Sequence, residues 1–517
     1  MTVELSDTER RRISYQARFD ASKKAHERNV VGQFATPQAL ARDIAKVVAE
    51  AWESHGGRIR FLEPALGTGA FYSALLETIQ QSKWESATGV EIDPTLADSA
   101  KRIWKGYPLD IITADFTSLE PTKPRSRLAN LIVTNPPYVR HHHMSGESKA
   151  RIAGLIRDRL GLTVSQLSGL YSHFILLSDA WLEEGGIGAW LVPSEFMDVA
   201  YGKALRQYLT RNVTLLRIHR FNPNKVQFED ALVTSAILIF KKNKPQKNHK
   251  VQVSYDGSFI SPTKVHMIEN DVLASLSKWT EVTFGGEGVV ERHGLTTLSD
   301  FFEIKRGLAT GDNDFFILTK EMADKRGIPR EFLRPILPSP RNLMGDVIES
   351  HPDGTPKTNP SLMLLDCSEP EEAVKREYSG LWTYLEYGKK RGSHKRYLTS
   401  NRKVWYQQEQ RTPAPFLCSY VGRQLRNRAP FRFFWNKSNA IATNAYLLMY
   451  PKGKLADTLK VDFAFHETAL RCLQGIDSTE ISMAGRIYGG GMQKLEPSEL
   501  GSVAGTRLAA AISACTS

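Results

Sequence analysis

Ile59-Arg60-Phe61-Leu62-Glu63-Pro64-Ala65-Leu66-Gly67-Thr68-Gly69-Ala70-Phe71 decides the fold. A short apolar strand enters a glycine-bearing turn. An amphipathic helix comes next, with apolar residues at Phe71, Tyr72, Leu75, Leu76 and Ile79. This is the opening strand–turn–helix unit of a doubly wound α/β sheet, in which glycines let the backbone come close to a ligand. The third glycine of the dinucleotide pattern is missing. A plain tight turn would account for this piece alone, so the weight falls on the three strand ends downstream of it.

About 25 residues on, Thr88-Gly89-Val90-Glu91-Ile92-Asp93-Pro94 ends a second strand in an acid, where a ribose diol finds its acceptor. Leu109-Asp110-Ile111-Ile112-Thr113-Ala114-Asp115-Phe116 ends a third strand in Asp-Phe. Asp115 there could accept from an amino group while Phe116 packs on a ring. The apolar run Leu131-Ile132-Val133 then leads into Asn135-Pro136-Pro137-Tyr138. Two prolines forbid helix and fix φ, which leaves the Asn135 oxygen and nearby carbonyls unclaimed. Tyr138 offers a ring for stacking. Acceptors and a ring at one point suit an exocyclic or amide NH2 held while a methyl group reaches its nitrogen.

With Gly32-Gln33-Phe34-Ala35-Thr36-Pro37 placed first, these motifs together resemble the TaqI-like, gamma-class DNA adenine-N6 methyltransferases of type II restriction–modification systems. The match covers most of residues 29–240 and continues more loosely through 300–500. The resemblance implies an S-adenosyl-L-methionine-dependent, Rossmann-like methyltransferase domain and a C-terminal mixed α+β target-recognition domain. It implies a cofactor site at Thr36, Pro37, Glu63, Pro64, Ala65, Gly67, Gly69, Glu91, Ile92, Asp115 and Phe116. Asn135, Pro136, Pro137 and Tyr138 would surround the target base, with Phe228 as a second stacking ring. The adjoining Glu229-Asp230-Ala231 lacks the basic residue expected there. Double-stranded DNA is the implied partner, with the base flipped out for reaction. A cognate restriction endonuclease is implied as a genetic partner, and a cytoplasmic, nucleoid-associated monomer is expected.

The chain has 517 residues, room for two or three domains, and 41% hydrophobic content, enough for real cores. Its net charge of +12 points to a polyanionic partner rather than a membrane. Met1 to Asp7 has no signal-peptide core. No apolar run approaches the roughly 18 residues of a spanning helix. Cys367, Cys418, Cys472 and Cys515 lie far apart, so neither a zinc site nor a disulfide framework is expected. His141-His142-His143 have no acid or cysteine at ligand spacing. Contact with the DNA backbone is expected there, and no metal.

Three domains are expected: a charged arm over 1–28, the methyltransferase domain over 29–285 and the recognition domain over 286–517. In the arm, a solvated segment and a phosphate contact are equally open. The spacing predicts a largely parallel sheet and a helix from Leu170 to Glu184, ended by Gly185-Gly186 before a strand at Ile187–Pro193. Lys241 to Lys250 reads as a basic loop and first break, and 251–290 as a bridging segment.

Between Lys389 and Arg432 stand 12 Lys and Arg residues against one acid, Glu409. They are Lys389, Lys390, Arg391, Lys395, Arg396, Arg402, Lys403, Arg411, Arg423, Arg426, Arg428 and Arg432. All but Arg411 are candidate DNA contacts. Tyr397, Trp405, Tyr406, Phe416, Tyr420, Phe431, Phe433, Phe434 and Trp435 interleave with or directly succeed them. A basic, aromatic stretch suits phosphate contacts with some base-edge readout. Ile304–Gly311 and Arg486–Gly491 resemble segments of that family's recognition domain, and their glycines would permit close approach to DNA. The rival reading is an N-methyltransferase acting on RNA adenine or guanine or on a protein glutamine. Such chains are usually shorter and lack a basic C-terminal domain.

Overall fold

In the computed structural model the described residues are 3–23, 28, 32–53, 55–121, 127–139, 144–222, 234–280, 282, 296–423, 430–488 and 492–516. The chain forms two compact units. One holds Met1–Val290 with Tyr488–Gly490, the other Glu291–Ile487 with Gly491–Ser517.

The first unit is built on nine strands: β1 (Ile59–Glu63), β2 (Trp84–Glu91), β3 (Asp110–Thr113), β4 (Ala129–Thr134), β5 (Leu182–Pro193), β6 (Thr214–Arg220), β7 (Ser235–Lys241), β8 (Lys250–Gly257) and β9 (Pro262–Glu269). Their order across the sheet is β3-β2-β1-β4-β5-β7-β6-β8-β9. From β3 to β5 every pairing is parallel. β7 runs antiparallel to both β5 and β6. All six residues of β4 are buried, as a parallel strand covered on both faces requires. Leu131 and Val133 belong to one hydrophobic cluster and Ile132 to the other, so successive side chains feed opposite faces.

The strand order reverses between β1 and β4. In an open α/β sheet the crevice beyond such a reversal, at the carboxyl ends of the strands, is where ligands bind. The turn after β1 opens there. Gly67 and Gly69 hold φ of +56° and +85°. At Gly69 a Cβ would lie 2.6 Å from Trp104 Nε1. That indole donates to the Thr68 carbonyl at 3.0 Å and pins the turn.

Three expectations are corrected. The helix from Leu170 ends at Ser178, and β5 begins at Leu182, ahead of the glycine pair. Gly185 N–H donates to the Lys242 carbonyl, and Lys242 N–H to the Gly186 carbonyl. The glycines therefore bend a strand that is already paired and do not stop a helix. The basic loop after β7 joins strands of the same sheet, and 250–269 extends that sheet as β8 and β9. The charged N-terminal segment forms a helix, Val3–Ser22, that is docked through Leu5, Phe19 and an enclosed Arg12–Glu9 ion pair. The open choice between solvated arm and phosphate contact misses this, because the helix buries charge as a pair.

In the second unit a five-stranded sheet runs Phe302–Arg306, Tyr446–Pro451, Phe416–Ser419, Phe433–Asn436, Val347–Ile348. A three-stranded sheet orders Ile317–Thr319, Leu362–Leu365 and Leu333–Ile336. Phe416, Phe433 and Trp435 enter one core cluster and Leu417 and Phe434 another. Among the described residues no helix is long and apolar enough to cross a membrane.

Candidate active site

At the carboxyl ends of β1, β2 and β4 lies a cavity of about 610 Å³. Its walls include Pro64, Ala65 and Gly67 after β1, Glu91 and Ile92 at the end of β2, Asp115 and Phe116 after β3, and Asn135, Pro136 and Pro137 after β4. Motifs far apart along the chain thus meet in one space of the size that ligand sites have.

Glu91 is buried and shapes the turn opposite. Its carboxylate accepts from Gly67 N–H at 2.8 Å and from Asp93 N–H at 2.9 Å. Burial pushes its pKa up, and those two donors pull it back. Ile92 stands beside it, 66% exposed on the cavity wall, an apolar surface for a flat ring. At Asp93 burial works against ionisation, but Lys23 and the N–H groups of Leu96 and Thr95 outweigh it, and the pKa lies below the usual range. Asp115 lines the cavity while capping the turn that succeeds it. It accepts from Thr117 N–H at 2.9 Å and from the Thr117 hydroxyl. Phe116 borders the cavity and packs on Phe174 and Trp181, with ring centroids 5.3 and 5.2 Å away.

Asn135 carries the most specific geometry. Its Nδ2 donates to the Phe34 carbonyl at 3.0 Å and to Thr36 Oγ1 at 3.2 Å. Its Oδ1 is buried and has no hydrogen-bond partner. A carbonyl can only accept, so the Phe34 contact fixes which end of the amide is nitrogen. An acceptor without a partner is thereby left on a residue that lines the cavity.

Several expected residues lie elsewhere. Glu63 is enclosed behind the wall; burial drives its pKa well up, opposed by the Tyr72 N–H and by Arg12. Gly69 acts through the turn. Thr36 touches Asn135 and does not line the cavity, and Pro37 does not line it either; its carbonyl accepts from Ala41 N–H at the start of the helix Gln38–Glu53. Tyr138, expected as a stacking ring, is 7% exposed and donates its hydroxyl to the Leu191 carbonyl. Phe34 lies against it, 5.6 Å between centroids, and of these two Phe34 lines the cavity, as Phe116 and Phe174 also do. Phe228 and His141–His143 fall outside the described residues.

Sequence reasoning missed the contribution of the N-terminal helix. Gln16 and Lys23 line the cavity. Lys23 Nζ donates to Asp93 Oδ2 at 3.0 Å and to Gln33 Oε1 at 3.2 Å. Arg12 holds Glu9 through two bonds of 2.7 Å and reaches Thr68 Oγ1, while Ser73 donates to Glu9. The only local signal was Glu9 three residues before Arg12.

The basic stretch of the second unit divides in two. Arg432 donates to Asp346 and to the carbonyls of Pro340, Leu343 and Gly345. Arg402 donates to the Ala309 carbonyl, and Lys389 pairs with Glu371 and Glu386. Arg391 and Arg396 pair with Asp312, whose side chain is wholly enclosed and also accepts from Ser393. Exposed Lys390, Lys395, Lys403 and Arg423 meet no carboxylate among the described residues. Arg426 and Arg428 lie outside the described residues. The interleaved aromatics are core: Tyr406, Phe416, Tyr420, Phe431, Phe433, Phe434 and Trp435 are all buried, whereas Tyr397 is 83% exposed.

The comparisons with known proteins agree with this architecture. The sequence family described as Eco57I restriction-modification methylase matches residues 125–227. The family described as type II methyltransferase M.Eco57I, C-terminal domain, matches 286–513. The chain is 25% identical to the type II methyltransferase M.AccI of Acinetobacter calcoaceticus over 94% of its length and 87% of that protein. It is 24% identical to M.XamI of Xanthomonas campestris pv. amaranthicola, over 96% of its length and 89% of that protein. In fold it resembles the type IIL restriction-modification enzyme MmeI, solved in complex with DNA (TM-score 0.53, 13% identity, 90% of this chain). It spans 64% of that longer chain. A DrdV–DNA complex gives a TM-score of 0.52 at 13% identity, over 92% of this chain and 56% of that one.

Proposed function

From this chain's place among the type II restriction–modification methyltransferases, we propose that it transfers a methyl group from S-adenosyl-L-methionine to adenine N6 in double-stranded DNA at a specific site. The observation that carries the reading is the buried Asn135 Oδ1, without a partner on a residue that lines the cavity, its amide nitrogen held from behind.

The residues present fit the cofactor. Ile92 offers an apolar face to a purine, Gly67 allows close backbone approach, and the Glu91 carboxylate keeps lone pairs for a diol. When bound, S-adenosylmethionine supplies an electrophilic methyl group on a sulfonium. The chain must do the rest. Adenine N6 is a poor nucleophile, because its lone pair is delocalised into the ring. Asn135 Oδ1 and the Pro136 carbonyl accept its two N–H groups, which favours a tetrahedral nitrogen with the lone pair free. Orientation and acceptor placement then supply most of the rate. No covalent enzyme intermediate is needed.

N6 cannot be reached inside a duplex, so the base has to be turned out of the stack. Phe34 is placed to receive it, with Tyr138 as the layer behind. The exposed cations Lys390, Lys395, Lys403 and Arg423 are the best candidates for phosphate contacts. Long-read sequencing of DNA from cells expressing the protein tests the whole reading. N6-methyladenine within one short sequence is the expected result. Unmodified DNA, or methylated cytosine alone, would overturn it.

A further inference from the structure

We propose that Thr36 is a positioning residue for Asn135. This rests on the reading of Asn135 as the acceptor for the target amine. The Asn135 amide nitrogen has two hydrogens, and both are used. One goes to the Phe34 carbonyl at 3.0 Å, the other to Thr36 Oγ1 at 3.2 Å. The two acceptors do different jobs. The carbonyl sets polarity, since an amide oxygen turned towards it would place two acceptors face to face. A single bond still lets the amide swing about that contact. The second bond, to Thr36, fixes its plane and so aims Oδ1.

The surrounding backbone is built for the same task. Tyr138 N–H donates to the Gly32 carbonyl at 3.0 Å. A Cβ at Gly32 would sit 2.5 Å from the backbone nitrogens of both Tyr138 and Val139. Residues 32–36 therefore run as a splint along 135–139. At its far end the Pro37 carbonyl accepts from Ala41 N–H, which anchors the splint to the helix Gln38–Glu53. Gly32, Gln33, Phe34 and Ala35 reach the cavity; Thr36 does not. Its side chain faces Asn135 instead.

Thr36→Val keeps the shape and removes the acceptor, leaving one amide hydrogen buried without a partner. Thr36→Ser restores the acceptor. In the full-length protein, kcat for DNA methylation should fall about tenfold in Thr36→Val. The affinity for S-adenosylmethionine and the KM for DNA should stay within about twofold, and Thr36→Ser should recover the wild-type kcat. In an Asn135→Ala background, Thr36→Val should cost nothing further. Weakened cofactor affinity with kcat intact would make Thr36 a cofactor ligand and overturn the proposal. So would an unchanged kcat in Thr36→Val while Asn135→Ala is inactive; that pair of results sinks Thr36 and leaves Asn135 standing. Activity surviving in Asn135→Ala would sink both. Thr36→Ala judged against Thr36→Ser gives the same split should the valine variant not fold.

Discussion

In the first unit, the Asn135 amide has two acceptors around its nitrogen and none of its neighbours offers a donor to its oxygen. In the second, the enclosed Asp312 carboxylate receives the Ser393 hydroxyl at 2.7 Å and the guanidinium groups of Arg396 and Arg391 at 3.2 and 3.4 Å. Both sites take polar atoms out of water. At Asp312 the carboxylate is saturated in holding loop 391–399 against 310–313, and the result is architecture. At Asn135 one acceptor is left over on a residue that lines the cavity, where we propose that the target amine binds. An unpaired buried polar atom costs about 1–3 kcal/mol. A fold that keeps one at a cavity wall is spending stability on recognition.

Four experiments press on that contrast. The largest effect is expected at the open acceptor. Asn135→Ala should lower kcat by about 10³-fold, roughly 4 kcal/mol of barrier. It should leave S-adenosylmethionine affinity and the melting temperature close to wild type. A variant keeping a tenth of wild-type turnover would show that the acceptor is not used. At the saturated site the pattern should invert. Asp312→Ala should cost about 2–3 kcal/mol of stability in denaturant. That is less than for a fully enclosed pair, because Arg391 and Arg396 are part-exposed and can rehydrate. Cofactor binding should persist. An unchanged midpoint would mean that Asp312 does not hold the loop.

A third test uses buried nitrogens that face no ligand site. His219 Nδ1 lies 3.0 Å from Ser254 Oγ, which in turn donates to the Ile218 carbonyl. Nδ1 therefore carries the proton, and Nε2 has no partner. Burial lowers the pKa of both His219 and His173 to about 4. Between the unfolded value near 6.5 and about 4, only the unfolded chain binds these protons. Their contribution is therefore fully present above the unfolded pKa and lost as pH falls through this window. The expected loss by pH 5 is about 2 kcal/mol for each. His219→Gln should shrink the stability difference between pH 7 and pH 5; an equal difference in wild type and variant would count against it. The smallest effect belongs to the wet pair at the cavity rim. Lys23 and Asp93 are 30% and 22% exposed. Lys23→Met should cost under about 1 kcal/mol of stability and change S-adenosylmethionine affinity only a few-fold by calorimetric titration. A tenfold change would place the ammonium in direct contact with the cofactor.

Different physics made one region readable and the other opaque. The strand-end walls of the cavity were legible because the residue just past a strand end points where the sheet puts it. Gly67, Glu91, Asp115 and Asn135 needed only local pattern and order to be placed together. What escaped was contact through side chains from afar. Nothing around Thr36 announces Asn135, 99 residues away, and nothing in Gln16 or Lys23 announces the cavity. Tyr138 sits in the right motif, but whether its ring is free depends on Phe34. The basic stretch misled for a related reason. Its one internal acid, Glu409, gave no hint that Asp312, Asp346 and Glu371 would come from elsewhere to pair with Arg391, Arg432 and Lys389. Most of its aromatics belong to the core, with Phe416, Phe433, Phe434 and Trp435 on strands, and a buried ring reads in sequence like one interleaved with basic residues. The sheet beyond β7 was missed because β8 and β9 are rich in polar residues on their open face.

The ion pair between Arg12 and Glu9 has a consequence during synthesis. Its neighbours Thr68 and Ser73 are 56 and 64 residues further along the chain. At ~5–20 residues per second the ribosome needs roughly 3–13 seconds to supply them. For that interval the N-terminal helix has made its charges but has no wall to bury them against, so they remain hydrated. The helix can dock only once β1 and its turn have emerged. The helix is thus tied to β1 and its turn, and β4 to β9 are supplied only afterwards.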